Sequence, residues 1–504
     1  MDPASPGRAD SATHLDVLVI GAGISGIAAG YHLQRRCPDK SYAILEAREA
    51  IGGTWDLFRY PGLRSDSDLY TFGFSFRPWT GERSIADGAS ILAYLRETAA
   101  AYGIDRKIRF GHRVVAADWD SAAARWVLDL EVGPERRRQR LTCGFLSVCA
   151  GYYDYESGYL PDWPGTARFG GRFVHPQAWP EDLDHTAKRV VVVGSGATAM
   201  TLVPAMAGDA AHVTMLQRSP TYVVALPARD RVAEWLRARL PEGLALRLAR
   251  WKNVALSILF YQYARRKPEA MKARILGGIR RQLGPDYDVA THFTPSYKPW
   301  DQRLCLVPDG DLFRAIRGGR ASVETGTIET FTETGLRLAS GREIPADIVV
   351  TATGLKLKML GGLALSVDGA PVDPQRTWLY KGMMLSGVPN LAVAIGYTNA
   401  SWTLKCELTA QYVCRLIRRM DARGDRWCMA RRDGSEGEAP TIDFTSGYIE
   451  RGRHLLPKQG VRRPWRLYQN YLLDVIALRY GRVADGAMTF GRAGAPPAEV
   501  RRAA

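Results

Sequence analysis

The sequence has no C-x-x-C pair, although it carries seven cysteines, at 37, 143, 149, 305, 406, 414 and 428. An odd, scattered set of this kind argues against a disulfide framework and a zinc site, and fits reduced thiols of a cytosolic protein. It also leaves a dithiol redox mechanism without its usual motif. Long apolar runs are missing too. No stretch approaches the ~20 residues of a transmembrane helix. The longest candidate, residues 254–261, sits among charges. Residues 1–14 lack a basic region followed by an apolar core, so they are not expected to be a secretory signal. Negative charge is in deficit: 68 Lys+Arg against 52 Asp+Glu leave +16. That surplus favours anionic partners, whether nucleic acid, a membrane face or phosphorylated cofactors. Composition does not choose among them.

What is present is an ordinary globular composition, 46% hydrophobic and 24% charged over 504 residues. The length predicts about two to four domains. Residues 16–20, a continuous apolar run ended by glycine, read as a buried parallel strand. Gly21-Ala-Gly23-Ile-Ser-Gly26 follows as a turn, residues 24–36 have helical spacing, and 41–46 read as the next strand. In this context Gly21 allows the tight turn, Gly23 lets backbone approach a pyrophosphate, and Gly26 lets helix and strand pack closely. Glu46, at the end of the second strand, would accept hydrogen bonds from ribose hydroxyls. A carboxylate there repels a 2′-phosphate, so the site suits FAD or NAD.

A second unit starts at residue 188. Residues 189–193 read as a strand, with Gly194-Ser195-Gly196-Ala197-Thr198-Ala199 as its turn and 212–217 as the next strand. Here the strand ends in Gln217-Arg218-Ser219 where NAD would want an acid. Arg218 can grip a 2′-phosphate with two parallel bonds, which argues for NADPH. Two dinucleotide sites of opposite ribose preference suggest hydride transfer from NADPH to a flavin.

Three further segments stand out: 52–66, with Gly52-Gly53-Thr54-Trp55 and later Arg64-Ser65-Asp66; 169–180; and 300–305, with Arg303. Physics alone leaves them open. His175 could be structural, Asp66 a turn residue, and Arg303 a surface base. The 169–180 segment, however, resembles the F-x-G-x-x-x-H-x-x-x-W-P fingerprint of type I Baeyer–Villiger monooxygenases: Phe169, Gly171, His175, Trp179 and Pro180 at the family spacing, between two Rossmann motifs. Runs at 52–68, 175–182, 194–204, 215–222, 299–316 and 381–405 strengthen the resemblance, which covers about residues 15 to 485.

The resemblance implies an α/β fold with two Rossmann-like dinucleotide-binding domains, for FAD and NADP, and a helical insertion. The FAD domain would occupy 15–150 and 346–485, the NADP domain 151–345 with the insertion at about 228–290, and 1–14 and 491–504 would be disordered tails. It implies that NADPH reduces FAD and that a C4a-peroxyflavin inserts one oxygen atom of O2 into a ketone, giving an ester or lactone. Sulfides or thioamides are alternative acceptors. Arg303 falls on the family's active-site arginine and Asp66 on the carboxylate that orients it. Ser25, Glu46, Thr54, Trp55, Asp66 and Val114 fall on FAD-contacting positions. Arg64, Ser65, Gly194 to Ala199, Met200, Arg218 and Ser219 fall on NADP-contacting ones. His175 is carried over as a linker residue. Gln302 stands where many members have Lys, which shifts the 2′-phosphate preference onto Arg218. The other readings are a flavin N- or S-monooxygenase with little ketone activity, and a basic membrane-associated flavoprotein. The second rests on the bases between 228 and 283, which suit either a solvated face or a weak peripheral membrane contact. No nucleic-acid partner and no metal are expected.

Overall fold

The computed structural model describes residues 13–434, 437–442 and 444–493. Most of the two expected tails, residues 1–12 and 494–504, lies outside them. The first strand reaches further into the N-terminal segment than its apolar run suggests. β1 (Thr13–Ile20) begins to pair with Leu141 and Thr142 at Thr13 and His14. Gly491 likewise ends a strand, Met488–Gly491, that pairs with Trp427–Ala430.

α1 (Ile24–Arg36) carries Arg35 and Arg36 in its last turn, where cations oppose the negative end of the helix dipole. β2 (Tyr42–Leu45) is buried along its whole length and runs parallel to β1 from Val17↔Tyr42. These elements sit in a nine-stranded sheet, which also holds Arg137–Val148 beside β1 and Leu391–Val393 beyond it.

β3 (Arg189–Val193), α2 (Ala197–Met206) and β4 (His212–Gln217) build the second unit. Its sheet has five parallel strands, in the order 321–325, β4, β3, 348–351, 172–174. Ile348–Thr351 pairs with β3, so the second sheet runs past the boundary expected at 345/346. The chain rejoins the first sheet only at Ala364, beside Ala116. The strand's apolar run gave no sign of which sheet it would join. Two strands cross between the sheets side by side: Tyr153–Gly158 pairs antiparallel with Leu355–Leu357.

The expected insertion is helical: α3 (Arg231–Arg237), α4 (Glu242–Arg266), α5 (Pro268–Leu283) and a short turn at Val289–Phe293. α4 is longer than the apolar spacing suggested. Three of its polar residues point inward, beside the buried Ala245, Leu246, Ala249 and Val254. Arg250 donates to the Tyr70 carbonyl at 3.0 Å and meets Glu407 at 3.2 Å. Lys252 is ion-paired with Asp230, and Asn253 donates to Asp68 at 3.0 Å. Glu407 lies on α6 (Trp402–Arg423), a largely buried helix whose core, with Leu404, Leu408 and Tyr412, is shared with α1. The insertion is therefore bolted to the first half of the molecule as well as to the second.

Candidate active site

The two glycine turns are conformationally obligatory. Gly21 has φ +100°, and a Cβ there would lie 2.6 Å from the Cys149 carbonyl oxygen. A Cβ on Gly26 would lie 1.9 Å from the Gly21 carbonyl oxygen, which is why helix and strand meet only with glycine. Gly194 has φ +136° and faces the Ala352 carbonyl in the same manner. Around Gly196, by contrast, space is open. Neither α1 nor α2 has a side-chain N-cap, and neither carries an acid in its first turn. Their first N–H groups and positive dipole ends are thus available to a phosphate.

Both turns open on one cleft of about 900 Å³. Gly21, Gly23, Ser25, Glu46, Thr54, Trp55, Ser65, Asp66 and Val114 line it from the first unit. Ser195, Gly196, Ala197 and Thr198 line it from the second. Gly53 approaches Gly23 closely, so a second glycine turn completes the cradle. Glu46 is fixed by its own backbone: it accepts from Ala22 N–H at 2.7 Å and Arg48 N–H at 2.9 Å. Burial pushes its pKa up, and these two donors only partly offset the effect. Ser25 accepts from the Trp402 indole at 3.0 Å, tying α6 to the first turn.

At the centre of the cleft Arg303 Nε lies 2.6 Å from Asp66, and Arg303 Nη1 donates to the Thr398 carbonyl at 2.9 Å. Burial opposes the guanidinium charge, but the Asp66 carboxylate outweighs it and holds the Arg303 pKa above its ordinary value. Two residues 237 positions apart in sequence (303 minus 66) are thereby brought together. Three phenols surround the pair. Tyr152 and Tyr153 share a hydrogen bond of 2.9 Å, and Tyr152 stacks on Trp402 at 5.1 Å. Burial raises the pKa of Tyr152, Tyr153 and Tyr448, so all three remain neutral hydroxyls near neutral pH. Below them burial pushes the Cys305 thiol up to about 12, which makes it inert.

Other expected site residues stand apart from the cleft. Gly26 and Gly194 shape the turns from behind. Ala199 and Met200 are buried within α2. Arg64 is ion-paired with Asp311 and donates to the Met200 carbonyl at 3.2 Å. Arg218 is exposed at the end of β4, and the carbonyl of Ser219 accepts from Ser195 at 3.1 Å. Of the fingerprint residues, His175 packs against the crossing between the sheets and the others pack around the second sheet. The His175 ring fills the space beside Gly158, where a Cβ would lie 1.9 Å from it. Its Nδ1 accepts from Gln177 N–H at 3.2 Å. Burial holds its pKa below the ordinary value. Phe169 stacks edge-on to Phe173 in the neighbouring core, Gly171 lies against the Asp347 carbonyl, and Trp179 and the adjoining Pro180 follow at the rim of the second sheet.

Sequence reasoning missed Arg451, Tyr448, Trp402 and the Tyr152–Tyr153 pair. The tyrosines at 152 and 153 follow the glycine that ends a parallel strand, a position where ligands bind in such sheets. Tyr448 and Arg451 carry no local pattern. Arg451 lies over the Tyr159 ring at 3.5 Å. Burial lowers its pKa, the Tyr159 phenol opposes that, and the charge of Arg218 lowers it further, so the two guanidinium groups feel each other.

An NAD(P)-binding Rossmann-like domain matches residues 19–80, and a flavin-binding monooxygenase-like model matches residues 84–235. FAD-containing monooxygenase EthA of Mycobacterium tuberculosis is 56% identical over 485 residues, 96% of this chain and 99% of the relative. This chain is a member of the FAD-containing monooxygenases. The EthA of Mycolicibacterium smegmatis is 52% identical over 479 residues, 95% of this chain and 97% of the relative. Among solved structures, an oxidized steroid monooxygenase bound to NADP superposes with a TM-score of 0.74 at 23% identity, over 95% of this chain and all of its own. An open structure of cyclohexanone monooxygenase gives 0.72 at 18% identity, over 95% of this chain and 99% of its own. At such low identity these two bear on the fold of the monooxygenase and not on its substrate.

Proposed function

We propose that this FAD-containing monooxygenase uses NADPH and O2 to insert one oxygen atom into a ketone, giving an ester or lactone, and that it also oxygenates soft sulfur in sulfides or thioamides. The observation that carries the proposal is the Arg303–Asp66 pair, held at 2.6 Å in a cleft that both glycine turns line. Bound FAD supplies oxygen activation there, and NADPH supplies the hydride that reduces it. The protein's part is electrostatic. Arg303 cannot lose its proton, and it stabilises the oxygen that gains negative charge as a carbonyl is attacked. Asp66 and the Thr398 carbonyl hold two of its three nitrogens and so aim the third. Tyr152, Tyr153 and Trp402 wall the cleft with rings and exclude water from it.

Glu46 would take the adenosine ribose of FAD, with Gly21, Gly23, Ser25, Thr54, Trp55 and Val114 around the rest. Ser195 to Thr198 would hold the pyrophosphate of NADPH. Its 2′-phosphate falls to Arg218 with Arg451 at its side, which makes up for Gln302. A sulfur or nitrogen oxygenase with little ketone activity is the competing reading. The proposed Baeyer–Villiger reading puts the enzyme in the cytoplasm, with peripheral membrane contact through the helices between 231 and 293. A panel of a cyclic ketone, a linear ketone and an aryl sulfide, scored by product mass under ¹⁸O₂, tests it. Labelled ester from either ketone is the expected result. Labelled sulfoxide with no ester from any ketone would favour the competing reading.

A further inference from the structure

α4 buries Ala245, Leu246, Ala249, Val254 and Ala264, and carries a second apolar set on its outer face. Arg250, Lys252 and Asn253 face the interior, each with a partner. The outer face carries Leu244, Leu248, Trp251, Ala255, Leu259 and Tyr263, spaced three and four residues apart. Leu259 is 65% exposed, and Leu256 and Phe260 widen the stripe beside it. At 1.5 Å per residue the stripe is roughly 28 Å long. A second exposed set adjoins it: Leu472, Ile476 and Tyr480 share one face of the chain that follows Tyr471, whose ring lies 5.8 Å from that of Trp251. Val232 and Trp235 on α3 add to the other end, also exposed. A continuous apolar face of this size is unusual on a protein surface and marks a contact.

The charges around it say with what. Arg231, Arg239, Arg247 and Arg266 are exposed on α3, α4 and the turn between them. Arg239 lies over the Trp235 ring at 4.8 Å. The single acid of α3, Glu234, faces Arg229 at 3.8 Å, and the single acid of α4, Glu242, faces Arg237 at 3.6 Å. Leucine and tryptophan flanked by arginine, with Trp and Tyr at the edges, is the chemistry of an anionic lipid interface. Against a second copy of this chain, symmetry would set the same arginines opposite one another. Among the described residues no helix is long and apolar enough to cross a membrane, so the contact is with one leaflet.

The geometry points to the outer face of α4, with Leu472, Ile476 and Tyr480, as a docking surface for an anionic lipid bilayer. This builds on the peripheral contact proposed above and is independent of the oxygenation chemistry. It replaces the basic residues of the helix by its apolar stripe as the element that inserts. The arginines draw the protein to the surface, and the leucines and Trp251 enter the boundary between headgroups and acyl chains.

The test is co-sedimentation of the full chain with vesicles of phosphatidylglycerol and phosphatidylcholine, and with vesicles of phosphatidylcholine alone. Expected is binding to the anionic vesicles that weakens with salt, and a loss on the order of tenfold in the L248N/L259N variant. Monooxygenase turnover and the unfolding midpoint should stay unchanged in that variant. A second measurement uses the burial of all seven native cysteines, which lets one introduced thiol be labelled selectively. A solvent-sensitive fluorophore on L259C should shift to the blue with anionic vesicles, and the same label on E135C, in an exposed turn, should not. If the wild type binds and the variant binds equally, the assigned face is wrong while peripheral contact stands. If the wild type binds neither vesicle, both fail. A dimer in sedimentation velocity that L248N/L259N disperses would overturn the assignment in favour of a second copy.

Discussion

The proposed function rests its chemistry on the Arg303 guanidinium, and removing it should then separate two activities. Reduction of the flavin needs no stabiliser for a carbonyl oxygen; oxygen insertion does. R303A should therefore keep oxidising NADPH while product formation falls by about 10²–10³-fold, the usual cost of one such donor. The ratio of product formed to NADPH consumed checks it, and an unchanged ratio would remove Arg303 from the reaction. Outside the cleft, at the end of β4, the proposed reading gives Arg218 and Arg451 one task, the 2′-phosphate. Each replaced alone by Ala should raise the KM for NADPH far more than that for NADH, and the double variant should bring the two values together. An equal effect on both cofactors would place the 2′-phosphate elsewhere. Of these three arginines, the sequence singled out two: Arg218, because it ends a strand where an acid would otherwise stand, and Arg303, through the family resemblance alone. Arg451 was hidden, because what brings it to Tyr159 and Arg218 is the packing of a distant segment and not any local spacing.

The glycine turns and their strands were readable because each one imposes a local steric demand. A Cβ at Gly26 would collide with the Gly21 carbonyl five residues back, and Gly21 itself sits at φ +100°, which side chains rarely adopt. α4 shows the opposite case. Its apolar residues recur with helical spacing, which predicts the helix correctly but not which face is buried. Here the buried face holds Ala245, Leu246, Ala249 and Val254, with Arg250 and Lys252 beside it paired to Glu407 and Asp230 on other elements, while a second apolar set stays exposed. Arg250 and Glu407 are both nearly buried, with side chains 11% and 4% exposed. R250M should cost roughly 3–5 kcal/mol in denaturant titration, because it strands a buried carboxylate. Burial by itself would raise the Glu407 pKa; the hydrogen bond to His32 and the charge of Arg250 outweigh it and hold it below the ordinary value. A depressed carboxylate stabilises the fold above the unfolded pKa, near 4.5, and that share is lost as pH falls through the folded value. E407Q should accordingly be less stable than the wild type near neutral pH and lose less stability on acidification. Parallel pH profiles of the two would contradict the assignment.

Across the whole molecule, the two sheets were foreseen from two strand–glycine–helix patterns, and the strand at 348–351 was assigned to the wrong one. Strand pairing over long sequence separations leaves no trace in composition. The cleft spans both halves, so a ligand that fills it binds only the folded chain. FAD at 1,000 times its Kd should add about 4 kcal/mol to the unfolding free energy, read as a rise in the thermal midpoint that scales with the logarithm of FAD concentration. A midpoint indifferent to FAD would mean that the cradle does not hold it. The charge of +16 is spread over this surface. Only a few of its arginines face the cleft, and a larger cluster flanks α4. The paired strands Tyr153–Gly158 and Leu355–Leu357 join the two sheets, and their hydrogen bonds resist being drawn apart. The His175 ring packs beside this ribbon at Gly158. Parting the two sheets along this line would first have to break that ladder, so the floor of the cleft is laced shut by backbone.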